Sequence, residues 1–213
     1  IMSNGTSGDI NNINFRVTGE AQQAYEQMTI VANKVAAEVY STYQTLEWRD
    51  HAKLDSARAE ISLGVRLPSA EDLARAQQIV DAAAGPTMAT LEEIYARETL
   101  LLNDYPAQVE LILQAHRIGD WAVTAIPCEV FVQLGLNLKA NSPIRPLFTI
   151  ELANGYNGYL PTAEQHPLGG YETWRARSSY LEVDAATKIE AAVMDLLHQL
   201  DAQPAAAEIA RNN

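Results

Sequence analysis

The sequence predicts an α/β domain of mixed helix and strand. Three observations carry this. Helical and strand periods interleave along all 213 residues without an internal repeat. At 57–67, Ala57, Ala59, Ile61, Leu63, Val65 and Leu67 alternate with mostly polar neighbours, the period of a half-buried strand. The segment "DWAVTAIP" at 120–127 is apolar on both faces, as a central strand is.

Each element has its own signal. Residues 1–18 are rich in Asn, Gly, Ser and Thr and read as loop and turn. Ala24, Met28, Val31, Val35 and Val39 recur at helical spacing, so 20–45 reads as a long amphipathic helix. Pro68 ends the strand at 57–67. Ser69 then caps a helix, with Asp72 in the capping-box position. Gly85-Pro86 breaks that helix, and another follows at 88–103. Residues 107–117 and 120–127 are two strands joined at Gly119-Asp120. A helix at 129–140 turns Val130, Phe131, Leu134 and Leu138 inward, and "PLFTIEL" at 146–152 is a further buried strand. The last helix, near 185–201, has Asp184 as its cap and Ile189, Val193, Leu196 and Leu200 on one face. The expected organisation is a single domain or part-domain over 1–203, with a frayed tail at 204–213.

Composition bounds the function. Hydrophobic content of 47% and charged content of 20% are those of an ordinary globular protein. The net charge of -12 disfavours nucleic-acid binding, because an acidic surface repels phosphate. The single cysteine, Cys128, excludes an intrachain disulfide and a cysteine zinc cluster. Apolar runs are too short for a transmembrane segment. No signal peptide is visible, but the first residue is Ile1, not Met. The expectation is therefore a chain from which something upstream was removed, or one piece of a longer chain.

The histidines, His51, His116, His166 and His198, form no local zinc spacing. His198 reads as a surface or interface residue and His166 as solvated. Neither a nucleophile elbow nor a phosphate loop is present. What remains is a pair of loops following strands. One places Glu129 after Pro127; the other runs from Asn154 to Tyr159 after "FTIEL". Ligand sites in open α/β sheets gather at such strand ends. Two readings of these residues stand. Glu129 is a helix N-terminal carboxylate favoured by the dipole, and the tyrosines are packing residues; or they are the polar groups of a site.

Three segments occur in an order that resembles the neutral/alkaline ceramidase family: "GDINN" at 8–12, "IPCEVFVQLG" at 126–135, and "LANGYNGYLPTAEQ" followed by "GGYE" at 152–172. The family segments look like a G-D-x-S-P-N loop, a P-G-E segment and an N-x-Y-x-x-Y…Y-E segment. The step of 12 residues from Tyr159 to Tyr171 is the same. The resemblance runs from about Met2 to the last helix and implies the C-terminal portion of a neutral-ceramidase-like catalytic domain.

The resemblance implies a zinc amidohydrolase whose metal is held by two histidines, a glutamate and a tyrosine. Glu129 and Tyr159 match the last two. The histidines would come from an N-terminal half or a second chain. Tyr171 matches a tyrosine that hydrogen-bonds the substrate amide, and Gly8 and Asp9 match the loop that shapes the pocket. Asn11 stands where the family has its serine nucleophile, and Cys128 where it has a glycine. The expected chemistry is then cleavage of an amide or related bond by metal-activated water, with Asn11 only positioning. Asn154, Tyr156, Trp174 and Arg175 are expected to contact substrate. This tyrosine-rich loop suits a sugar as well as an acyl chain, so a carbohydrate-directed hydrolase on the same scaffold stands beside the lipid reading. A binding subunit without catalysis is the third reading. The resemblance suggests a secreted or periplasmic setting.

Overall fold

A computed structural model describes residues 2–12, 14, 16–17, 19 and 22–202. The expected tail at 204–213 lies outside them. In chain order the elements are α1 (Glu26–Gln44), β1 (Leu54–Gly64), α2 (Ala70–Ala82), α3 (Leu91–Leu102), β2 (Gln108–Ile118), β3 (Trp121–Ile126), β4 (Glu129–Val130), α4 (Val132–Asn141), β5 (Leu147–Glu151), β6 (Tyr159–Leu160) and α5 (Ala185–Ala202). The mixed helix and strand predicted from sequence is the architecture found. Where one domain was expected over 1–203, contacts divide the chain into two compact units. One comprises Ile1–Asp9 with Lys53–Asn213, the other Ile10–Ala52.

The larger unit is built on a sheet of order β1-β2-β3-β5. β1 and β2 are antiparallel from Leu54↔Ile118 to Gly64↔Gln108. The Gly119-Asp120 turn returns β3 antiparallel to β2, and β3 is parallel to β5, with Ile126 opposite Glu151. The alternation read from sequence sets the faces of β1: Ala57 and Leu63 are buried, and Arg58, Glu60 and Ser62 are exposed. β3 is buried along its length after Trp121, because it has a strand on each side. α5 packs against β1 and β2 through Ile189, Val193, Leu196, Leu197 and Leu200, all buried. Each such side chain contributes roughly 1.5–3 kcal/mol by leaving water.

The boundaries differ from expectation for physical reasons. β1 begins at Leu54, three residues early, because Gly119 N–H donates to the Lys53 carbonyl (2.7 Å) and closes the hairpin end. It ends at Gly64, and Val65 instead pairs with Leu181. α4 begins at Val132 rather than at 129, because Glu129 and Val130 pair with Tyr159 and Leu160. Glu129 is thus on a short strand and not in the helix. α2 and α3 start on capping boxes, Ser69 with Asp72 and Thr90 with Glu93.

In the unit Ile10–Ala52, α1 runs over Glu26–Gln44, starting later than the helix expected over 20–45. No residue of α1 is buried, and Met28, Val35 and Val39 are exposed. α1 is the one helix or strand among the described residues of this unit, so the expected apolar face has no partner element within it.

Two outcomes follow for stability. Leu197→Ala removes a fully buried side chain under the sheet and should cost about 3 kcal/mol in chemical denaturation. The Asp72 carboxyl is held at about 2, first by the Ser69 N–H, then by the Ser69 hydroxyl and Arg175. A depressed carboxyl stabilises the fold above its unfolded value near 3.9 and loses that contribution as pH falls through about 2. Asp72→Asn should therefore flatten the acid limb of a melting-temperature profile between about pH 4 and 2, with a loss near neutrality of ~1 kcal/mol or less.

Candidate active site at the carboxyl ends of the central strands

The parallel pairing of β3 and β5 sends both chains out of the sheet at the same edge. The two loops that follow are stitched together. Leu152 N–H donates to the Cys128 carbonyl (3.1 Å), Ala153 to Ile126 (3.2 Å), and Asn157 to Pro127 (2.9 Å). The Asn157 side-chain amide donates to Pro127 as well (3.0 Å). These bonds hold a strained backbone: Leu152 has φ 54° and Asn154 φ 69°, a region costing L-residues about 1–2 kcal/mol each.

The second stitch is the parallel pair β4–β6, which sets Glu129 directly beside Tyr159. Glu129 N–H donates to the Gly158 carbonyl (2.9 Å), and Tyr159 N–H to the Ser178 carbonyl (2.8 Å). Gly158 has φ 74°, and a Cβ there would lie 2.4 Å from the Ser178 oxygen, so only glycine fits. Tyr171 meets Tyr159 edge to face at 5.6 Å between centroids. The Tyr159 phenol is pushed up from its ordinary value by burial first, then by its hydrogen bond to Tyr171 and by the Glu129 carboxylate. Burial, and then the charge of Glu129 and a hydrogen bond to it, likewise raise Tyr156. The structure thus gathers Glu129, Tyr156, Tyr159 and Tyr171 into one carboxylate–phenol cluster.

The opening loop docks on the other side of β4. Gly8 N–H donates to the Val130 carbonyl (2.8 Å). A Cβ on Gly8 would sit 2.6 Å from the Glu129 carbonyl oxygen, so a glycine is required at this approach. Asp9 accepts from the Val132 N–H (2.7 Å) and so caps α4 from 123 residues away. Phe131, the cap residue in sequence, offers no side-chain acceptor. Underneath lies Glu151, 5% exposed at the end of β5. Its carboxylate accepts from the Ser7 N–H (3.2 Å), the Ser7 hydroxyl and the Val130 N–H (2.9 Å).

The other expected site residues lie elsewhere. Asn154 donates to Gln114 (2.7 Å). Trp174 packs edge-on against Tyr95 of α3 (5.1 Å), and Arg175 is paired with Asp72 at the start of α2 (2.9 Å). Asn11 is exposed and belongs to the unit Ile10–Ala52. Cys128 is buried and burial pushes its thiol up, so it has no thiolate to attack with. His198 is exposed as expected. His166 is half-buried rather than solvated; burial, then the charge of Arg66, holds its imidazole below its ordinary value. Among the described residues no three His, Cys, Asp or Glu side chains gather as a metal group.

Comparison with known proteins turns on this architecture. The structure aligns with the neutral ceramidase of Pseudomonas aeruginosa over 93% of the chain, with a TM-score of 0.60 and 16% identity. The chain has a neutral-ceramidase-like fold. It spans 36% of that ceramidase's length. A ceramidase complexed with C2 aligns over 72% of this chain and 31% of its own, at 15% identity and a TM-score of 0.44. No family model and no curated protein matches the chain.

Glu151 and Ser7 were not singled out in the sequence, although a lone carboxylate closing the apolar run "PLFTIEL" is a signal for a buried, bonded charge. Glu151→Gln keeps the shape but turns an amide donor toward groups that donate. It should cost about 3 kcal/mol and speed exchange of the Ser7, Gly8 and Val130 amides, read by hydrogen exchange. Protection unchanged at all three would show that the carboxylate does not hold the loop.

Proposed function

We propose that this chain forms part of the active centre of a zinc-dependent hydrolase that cleaves an amide or a related bond. The observation that carries the reading is the pairing of Glu129 with Tyr159, with Tyr171 against it, at the carboxyl ends of parallel strands. A carboxylate and a phenol side by side are a hard-oxygen donor pair that suits zinc. Glu129 and Tyr159 would hold the ion, and the remaining ligands, two histidines in the family the sequence resembles, would come from an N-terminal half or a second chain. Bound zinc supplies Lewis acidity and a water of lowered pKa.

The chain's own residues do the rest. Tyr171, about half exposed, would exchange its hydrogen bond with Tyr159 for one to an incoming substrate and donate to the oxygen on which negative charge develops. Tyr156 shares the Glu129 carboxylate and orients it. Gly8 and Asp9 bond Val130 and Val132, just after Glu129, and so hold the backbone that carries its carboxylate. At the position of the family serine, Asn11 has an amide that donates and accepts but no hydroxyl that attacks. Attack therefore falls to water, without a covalent intermediate on this chain.

The test is hydrolysis of N-acyl sphingoid lipids and small N-acyl amides by the chain together with the segment that supplies the remaining ligands, loaded with zinc, with zinc content measured for each variant. Glu129→Gln should lose both metal and activity. Tyr171→Phe should keep its metal and lose ~100-fold in kcat, as for one donor to a developing oxyanion. Full activity in a thoroughly chelated sample, or in Glu129→Gln, would end the zinc reading.

A further inference from the structure

Beside the carboxylate–phenol cluster lies a cleft of about 450 Å³, within the ~300–1,000 Å³ range of small-molecule sites. Tyr156 belongs to both: it lines the cleft and hydrogen-bonds Glu129. Three more tyrosines, Tyr95, Tyr105 and Tyr180, line the walls. Tyr105 and Tyr180 are locked edge to face at 5.2 Å, and the Tyr180 hydroxyl is fixed on Asn157 (2.7 Å). Arg177 forms a two-pronged pair with Glu98 (2.8 and 2.9 Å) at the wall.

This lining selects a chemistry. Of its nine residues only Ile94 and Ala176 are aliphatic, so its apolar surface is mainly the flat faces of tyrosine rings. Glu98 and Arg177 are the charged members and cancel, so neither an anion nor a cation finds a counter-charge. Rigid tyrosines offer an apolar ring face and a polar tip. The planar guanidinium and the carboxylate offer fixed donors and acceptors for vicinal hydroxyls. A ligand with an apolar C–H face and a rim of hydroxyls meets all of these conditions.

We propose that this cleft binds a neutral sugar ring, seated on the tyrosines with its hydroxyls on the Glu98–Arg177 pair. The inference rests on the proposed hydrolase only in taking the sugar as part of that site's substrate; the binding itself stands on the cleft.

The experiment is ligand-observed NMR titration of the full chain. The probes are methyl β-glucoside, methyl β-galactoside, octyl β-glucoside and N-octyl acetamide. A hexoside is expected to bind, and N-octyl acetamide not to. Octyl β-glucoside binding more tightly than the methyl glycosides would point to a glycolipid source, equal binding to a free glycan. Tyr95→Ala and Arg177→Lys should each weaken the hexoside about tenfold, by removing a ring face or by loosening the two-pronged pair with Glu98 that fixes the polar rim, with unfolding midpoints recorded to confirm that each variant is folded. Glu129→Gln should bind the hexoside like the parent. Hexoside binding that is kept in Glu129→Gln leaves the sugar site standing whether or not the zinc-loaded assembly hydrolyses any glycoside or amide. Absence of hexoside binding, binding unchanged in both folded cleft variants, or preference for N-octyl acetamide would overturn the sugar site, even if amides are hydrolysed.

Discussion

The site depends on one buried carboxylate. Glu151 ends β5 at 5% exposure and accepts from two groups of Ser7 and from the Val130 N–H. A charge buried this far from water is tolerable only with its oxygens occupied. Satisfying it fixes two segments at once, the opening loop and β4. The Asn4 carbonyl adds a bond from the Glu151 N–H (3.3 Å). Residues separated by more than 120 positions are thereby brought to one edge of the sheet, and the backbone of Glu129 is clamped between the Gly8 loop on one side and β6 on the other.

That clamp makes two short strands sufficient. β4 and β6 have only two residues each, too few to persist alone. They are held because β3 and β5 are parallel, deliver their ends to the same place, and are joined by four hydrogen bonds from Leu152, Ala153 and Asn157. The strained Leu152 and Asn154 and the obligatory Gly158 are the cost of turning the chain sharply enough to set Tyr159 opposite Glu129.

Much of the fold was legible because its elements carry local signals. The alternation at 57–67, the Ser69–Asp72 box and the stripe of Ile189, Val193, Leu196 and Leu200 each depend on a few neighbouring residues, and each appears within a few positions of where it was read. The N-terminus of α4 was misplaced because what decides it is not local: Glu129–Val130 is claimed by Tyr159–Leu160, and the cap is Asp9. Glu129, Tyr159 and Tyr171 were reached by family resemblance rather than by periodicity, which also allows them to be a helix carboxylate and packing rings. Arg175 and Trp174 share the tyrosine-rich loop in sequence yet face α2 and α3, since a loop scatters consecutive side chains in different directions. The tyrosine cleft was legible only in the tyrosine-rich loop that supplies Tyr156. Its residues come from α3, Tyr105, Tyr156 and the 176–180 segment, and only the tertiary fold makes them neighbours.

The electrostatics of the cluster bear on the proposed zinc site. One carboxylate, Glu129, is faced by the phenols of Tyr156 and Tyr159, each held in its neutral form by burial and by that negative charge. As it stands this is a stable arrangement, with two donors and one acceptor. Ionising either phenol would put a second negative charge beside the first in a partly dry pocket, which the arrangement resists. A cation beside them reverses the sign of the argument. It would offset the carboxylate, pull the Tyr159 phenol toward phenolate, and turn an unfavourable pair of anions into a favourable pair of donors. On the proposed zinc reading the cluster would pass from neutral phenols to ligands, and because the backbone is held on both sides of Glu129 by the Gly8 loop and β6, little would have to move between the two.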